Sequence, residues 1–228
     1  LERVPHSEGV FERERCSAIK TIQLPDGIKS ISELSVTALS SLESINIPEG
    51  VTLIGNYAFS GCSSLKSLTI PSSVTTIETY NTFENCAGKL IVNCNLPNYT
   101  SSQNPFESNK FTEVYFGNGV TEIGDYTFSD SANLNYVHIP EGVTRIGNHA
   151  FVGCYRLTLT LPSTIKEIGN DALCYTVYCK ATTPPTMGSN EGPTVVYVPA
   201  SDDDSIINAY KSADGWNKDY RKFYEYEF

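Results

Sequence analysis

The side chains able to do chemistry are few and dispersed. The chain has three histidines and seven cysteines among 228 residues. His149 and Cys154 stand five apart, where an imidazole could activate a thiol. A reactive thiolate needs a polarised, partly exposed setting, and Ala150, Phe151 and Val152 between the two read as packed. His6 lies near the start, and His138 sits in a stretch of alternating residue types. No HExxH, GxSxG, P-loop or GxGxxG spacing occurs, and no two cysteines form a CxxC pair. Asp202-Asp203-Asp204 lacks the alternating ligand spacing of a calcium loop. Ser201 followed by Asp204 reads instead as a helix N-cap, with acids at the positive end of the dipole. No catalytic residue, metal or cofactor is therefore assigned, and an enzyme is not expected.

Recognition is the chemistry that remains. The candidates are Glu113, Tyr115, Tyr136, His138 and Tyr178. Tyrosine joins a large contact area to a polar tip and is enriched at binding hot spots. Aromatic residues also favour exposed strands with no ligand involved, so both readings stand at this level.

What positions these residues is a repeat, and internal repeats govern the fold. Ile47-Pro48-Glu49-Gly50-Val51 returns as Ile70-Pro71-Ser72-Ser73-Val74, Ile139-Pro140-Glu141-Gly142-Val143 and Leu161-Pro162-Ser163-Thr164-Ile165. Ile54-Gly55-Asn56-Tyr57-Ala58-Phe59 returns as Ile123 to Phe128, Ile146 to Phe151 and Ile168 to Leu173. Taking the phenylalanine slot as the beat, it falls at Val36, Phe59, Phe83, Phe106, Phe128, Phe151 and Leu173, in steps of 22 to 24 residues. Arg13 marks a degenerate first beat. The copy from Cys94 to Phe106 has lost its proline block, so a distorted strand face is expected there.

Each unit predicts a strand, a turn and a helical turn. Leu68 and Ile70 alternate as a strand does. Val51, Ile54, Ala58 and Phe59 fall on one helical or 3₁₀ stripe. A single unit cannot bury its apolar side, so units must stack into a continuous core. The expectation is an α/β repeat solenoid of seven to eight rungs of about 23 residues. It would be right-handed, with short parallel strands on a concave face. Outward strand positions read as Ser44 and Asn46, Ser67 and Thr69, Ile91 and Asn93, Glu113 and Tyr115, Tyr136 and His138, Thr158 and Thr160, and Tyr178. Cys16, Cys62, Cys86 and Cys154 share the slot three after the beat, which Leu39, Asn109, Ser131 and Thr176 fill elsewhere. That makes it a slot for a small packed side chain. Cys94 aligns with Ile70 or Phe116, and Cys179 with Leu65 or Leu157.

The pattern L-x-x-L-x-I-P-x-x-V-x-x-I-G-x-x-A-F-x-x-C, nearly complete from Leu42 to Cys62 and from Leu134 to Cys154, resembles the BspA-like leucine-rich-repeat family of bacterial surface proteins. The resemblance implies secretion or cell-surface display and adhesion to a protein or glycan on a host or neighbouring cell. It extends into Val196-Tyr197-Val198-Pro199-Ala200 and Gly215-Trp216. The asparagine ladder of standard leucine-rich repeats is missing from its usual place, where Gly50, Ser73, Gly119, Gly142 and Thr164 sit.

Three segments are expected: 1–15 as a degenerate start, 16–180 as repeats and 181–228 as a C-terminal cap. In the cap Pro184-Pro185 should stop the ladder and Val195 to Val198 add a last strand. Met187 to Pro193 reads as an exposed loop, and Ile206, Ile207, Tyr210, Trp216 and Tyr220 as cover for the open end. A net charge of −10 offers no basic footprint for nucleic acid. No apolar run reaches the roughly 18 residues of a membrane span. The first residue is Leu1 and no charged-then-apolar leader follows, which fits a trimmed product. A monomeric, non-enzymatic module outside the cell, binding a macromolecular partner, is the function expected, with a glycan-binding module as the alternative.

Overall fold

The structure is a computed structural model in which residues 18–189 and 192–228 are described. His6, Arg13, Cys16 and the segment 1–15 lie outside those residues. The chain begins with β1 (Thr21–Gln23), β2 (Ser30–Ile31), β3 (Ser44–Asn46), β4 (Leu53–Ile54), β5 (Ser67–Ile70) and β6 (Thr76–Ile77). It continues with β7 (Ala87–Val92), β8 (Lys110–Phe116), β9 (Glu122–Ile123), β10 (Tyr136–His138), β11 (Arg145–Ile146) and β12 (Thr158–Leu161). The last part holds β13 (Glu167–Ile168), β14 (Thr176–Cys179), β15 (Thr186–Met187), β16 (Val195–Pro199), α1 (Ser205–Ser212) and β17 (Lys222–Tyr226).

All strand pairings between these elements are parallel. One face carries the order β1-β3-β5-β7-β8-β10, then β12-β14-β16-β17. A second face of two-residue strands carries β2-β4-β6, then β9-β11-β13-β15. Register advances by one repeat per rung, as in Ile22↔Ile45 and Ile31↔Ile54. The result is a parallel-strand solenoid of about nine turns, not seven to eight. The count fell short because β16 and β17 come from the tail, where the proline motif has stopped. Pro184-Pro185 does not stop the ladder either, since β15 pairs with β13 directly after it. Met187, read as loop, is a half-buried member of that strand.

The α/β assignment is also corrected. The only α-helix among the described residues is α1, eight residues long. Where helical turns were expected the backbone takes positive φ at Leu34, Tyr57, Asn81, Tyr126, His149 and Asp171. A left-handed residue interrupts any right-handed helix. Alternate N–H groups then reach across to the next rung: Tyr57 to the Tyr80 carbonyl (2.9 Å), Phe59 to Thr82 (3.0 Å) and Gly61 to Glu84 (2.8 Å). Ala58, Ser60 and Cys62 bond back three residues within their own rung. The helical stripe of apolar residues is real, but the backbone beneath it is a cross-rung ladder.

A single core runs the length of the stack. Phe59, Phe83, Phe106, Phe128 and Phe151 are fully buried and stand in one file, with successive centroids 5.7, 4.9, 5.0 and 6.0 Å apart. The end is closed by Tyr210 and Trp216, also fully buried. The Trp216 indole donates to the Pro185 carbonyl at 2.8 Å, and the Tyr210 hydroxyl to Ala181 at 2.8 Å. Tyr220, expected in that cover, is half exposed. Asp204 occupies the helix N-cap without a side-chain bond. Asp203 caps instead, accepting from the Ser205 N–H at 3.1 Å, and Ser201 accepts from Ile206 at 3.4 Å.

Two irregularities shape the faces. Where the proline block is lost the strand face stays continuous, β7 pairing with β8 through a bulge at Gly88/Lys89. Gly88 has φ +86°, and a Cβ there would collide with the Leu65 carbonyl. The second face is the one that breaks, between β6 and β9. The strand face lapses two rungs later, between β10 and β12, which lie side by side without a ladder. The lapse coincides with a one-residue deletion. Leu134-Asn135-Tyr136-Val137 has two residues between core positions, and Leu157-Thr158-Leu159 has one. Asn135 supplies the N–H that ties its rung to the Thr112 carbonyl (3.0 Å), and Lys66 does the same for Glu43 (3.0 Å). The β12 rung lacks that residue.

Candidate binding face

Glu113, Tyr115, Tyr136 and His138 come together on adjacent strands. Alternation sends Val114 and Val137 into the core and the four candidates outward. Register then aligns Lys89, Glu113 and Tyr136 in one column and Ile91, Tyr115 and His138 in the next. The fourth rung was therefore misread: its outward pair is Lys89 and Ile91, not Ile91 and Asn93. The same register puts Val92, not Cys94, opposite Phe116, and Cys179 opposite Leu161.

Contacts within this cluster are close. The Tyr115 ring lies 5.3 Å from Tyr136 and 6.1 Å from His138. Its hydroxyl donates to Glu113 Oε2 at 3.1 Å, and Lys89 Nζ stands 3.6 Å from the ring centroid, a cation–π position. Crowding by these neighbours, together with the Glu113 carboxylate, holds the Tyr115 phenol above its usual pKa.

Tyr178 is not part of that cluster. Thr158 and Thr160 of β12 stand between. Tyr178 instead stacks on Tyr197 at 4.3 Å and 6°, and Tyr197 on Tyr224 at 5.4 Å and 28°. Tyr178 is met edge-on by Tyr226 at 5.0 Å and by Phe228 at 6.4 Å. Desolvation and the neighbouring tyrosines raise the Tyr178 phenol pKa. Sequence reading missed Lys89, Tyr197, Tyr224, Tyr226 and Phe228. Alternation in Val195 to Pro199 and Lys222 to Tyr226 carried the signal, because it puts Tyr197 and Tyr224 in the Tyr178 column. Two further exposed tyrosines, Tyr155 and Tyr175, stand in the loops leading into β12 and β14.

The lapse between β10 and β12 opens a groove of about 230 Å³. Its polar lining is Tyr136, His138, Thr158, Thr160 and Lys180, and its apolar lining is Val137, Ile139 and Pro162.

The reactive-looking residues are placed differently. Cys154 is buried, and its thiol donates to the Phe128 carbonyl at 3.1 Å. Burial pushes its pKa up to about 12, so it stays protonated. His149 stacks on Tyr126 at 4.6 Å. Cys62 and Cys86 repeat the thiol-to-carbonyl bond, to Val36 (3.1 Å) and Phe59 (3.0 Å). The slot is thus a packing slot that also carries a weak donor; Asn109 fills it by donating to Phe106 at 2.7 Å. Thr176 begins β14 and does not occupy that slot. Among the described residues no three of His, Cys, Asp and Glu gather as a metal site would require. No described helix is long and apolar enough to cross a membrane.

A ladder absent from its usual place appears at another. Asn98 accepts from the Asp125 N–H (2.9 Å), Asp125 from Asn148 (2.8 Å), Asn148 from Asn170 (2.8 Å) and Asn170 from Ser189 (2.8 Å). These are mostly the residues after Ile-Gly, and they sew the second face together.

No functionally curated protein matches the chain. A leucine-rich repeat protein from Bacteroides ovatus is 19% identical over 99% of this chain and 83% of its own, with a TM-score of 0.38. A leucine rich cell surface protein from Faecalibacterium prausnitzii is 20% identical over 86% of this chain and 62% of its own, with a TM-score of 0.44. The pneumococcal vaccine antigen PcpA is 18% identical over 91% of this chain and 74% of its own, with a TM-score of 0.37. The family described as BspA type Leucine rich repeat region matches residues 8–104 and 99–189 in six copies. With most of the chain inside that match and its phenylalanines in one file, the chain belongs to the BspA-type leucine-rich repeat family.

Proposed function

We propose that the chain is a non-enzymatic module displayed outside the cell that binds a protein partner through its strand face. The contact surface runs from β7 to β17 and includes Tyr115, Tyr136, His138 and Tyr178, with Glu113 orienting Tyr115. Display outside the cell follows from what the family resemblance implies. The observation carrying the choice of a protein is the ring geometry. Tyr197 has a ring against each flank, and one face of Tyr115 is covered by Lys89. Rings stacked in this way present edges and hydroxyls to an incoming partner. A sugar stacks on an open aromatic face, which favours the protein over the glycan reading. Edges plus hydroxyls suit the mixed apolar and polar contact of a protein hot spot.

The test pairs a panel of purified surface-protein ectodomains with a glycan array, using the chain and its Tyr136→Ala and Tyr197→Ala variants. A protein that binds the parent about tenfold more tightly than either variant, at unchanged melting temperature, supports the reading. Binding to glycans alone, or equal affinity in parent and both variants, overturns it.

A further inference from the structure

We propose that the groove between β10 and β12 receives an acidic side chain, Asp or Glu, of the protein partner. This rests on the protein-binding reading above and names the chemistry of its central contact. The polar residues lining the groove are Tyr136, His138, Thr158, Thr160 and Lys180, whose side chains carry three hydroxyls, an imidazole and an ammonium. Four of these five can donate while neutral, and the fifth is a fixed cation. None of their side-chain polar atoms is bonded to another group among the described residues, and Lys180 is in no ion pair there. Three comparable groups elsewhere on the face are engaged: Ser44 bonds Thr21 (3.3 Å), Lys20 pairs with Glu43 (3.2 Å), and Lys89 covers Tyr115.

Neither Glu113 nor Glu141 is among the groove's lining residues, and both are bonded to other groups. Glu113 takes the Tyr115 hydroxyl, and Glu141 takes the Ser163 N–H (3.0 Å) and hydroxyl (2.8 Å). A chain of net charge −10 thus keeps a set of donors without an acid among them where its strand face lapses between β10 and β12. The gap is also the reason they are accessible. Paired strands would set Thr158 and Thr160 about 4.8 Å from Tyr136 and His138 and close the space. A carboxylate accepts several donors at once, and charge-assisted bonds are the strong ones.

The experiment is an NMR titration of the full chain at physiological salt with a blocked penta-glutamate peptide. Its penta-glutamine counterpart and an oligouronate serve as the other arms. Shifts confined to His138, Thr158, Thr160 and Lys180 with the glutamate peptide, and none with the glutamine one, are expected. Lys180→Gln should weaken that binding about tenfold, with Thr160→Val also weakening it and Lys211→Gln on α1 leaving it unchanged. Equal response to the two peptides, shifts spread over all surface lysines, or no effect of Lys180→Gln overturns the proposal. So does an oligouronate that occupies the groove at lower concentration than the peptide. If the glutamate peptide fails while Tyr136→Ala still removes the ectodomain, this inference falls and the protein-binding reading stands. If Tyr136→Ala and Tyr197→Ala are both silent with the ectodomain, the reading itself falls.

Discussion

The two halves of the strand face share a backbone and differ in what they show to solvent. In β3 and β5 the core takes Ile45 and Leu68, while Ser44, Asn46, Ser67 and Thr69 point outward. In β8 and β10 the core takes Val114 and Val137, while Glu113, Tyr115, Tyr136 and His138 point outward. Strand pairing is parallel and in register in both. The fold is thus indifferent to the outer column, and the aromatic half is free to serve a partner. Stability should respond to the inner residues and affinity to the outer ones.

The largest effect should come from the inner file. Phe106 is fully buried between Phe83 and Phe128, 4.9 and 5.0 Å away. Phe106→Ala should cost about 3–5 kcal/mol by lost burial and an unfilled cavity. Thermal denaturation by circular dichroism reads this as a marked fall in Tm. A change below about 1 kcal/mol would mean that the rungs do not depend on that file.

Alkaline pH separates the same two classes. Burial raises Cys62 and Cys154 to about 12 in the folded state, while an exposed thiol in the unfolded chain ionises near 8.5. The folded state therefore retains protons that the unfolded state loses, and stability falls as pH rises from about 8.5 towards 12. Each thiol contributes on the order of 1.4 kcal/mol per pH unit in that window. Urea midpoints at pH 7, 9 and 10 should decline, and replacing both cysteines by alanine should flatten the decline.

The second-face ladder gives a smaller effect. Asn148 accepts from Asn170 and donates to Asp125 Oδ2 at 3.0 Å. Asn148→Ala should cost about 0.5–1.5 kcal/mol, since it removes the acceptor for the exposed Asn170 N–H and the bond to Asp125. Urea denaturation checks this.

How much of this was legible depends on which residues carried a repeating signal. The phenylalanine beat comes from side chains, so the file from Phe59 to Phe151 could be read directly. Backbone dihedrals leave no comparable mark at Tyr57, Tyr126 or His149, residues unremarkable for positive φ, and a helix was inferred where a cross-rung ladder forms. The lapse at β12 coincides with one missing residue before Thr158, which a beat counted at phenylalanine absorbs without trace. Tyr197 and Tyr224 were hidden by the end of the proline motif. Their alternation was present, yet nothing in composition tells a capping strand from a further rung.

The smallest expected effect is the sharpest test of the opening contrast. Tyr136 is 45% exposed and touches the Tyr115 ring at 5.3 Å. Cross-strand pairs of this kind contribute about 0.2–1 kcal/mol. Ser44→Ala, at an equivalent outward position in the polar half, removes only an exposed hydroxyl bond to Thr21. That change should stay within about 0.5 kcal/mol, as exposed substitutions usually do. Tyr136→Ala should exceed it by well under 1 kcal/mol on the same scale. If Tyr136→Ala instead lowers stability as much as Phe106→Ala, the aromatic half is part of the core and its tyrosines are held for the fold. If the two outward variants unfold together while only one loses a partner, the outer column is a surface set apart for recognition.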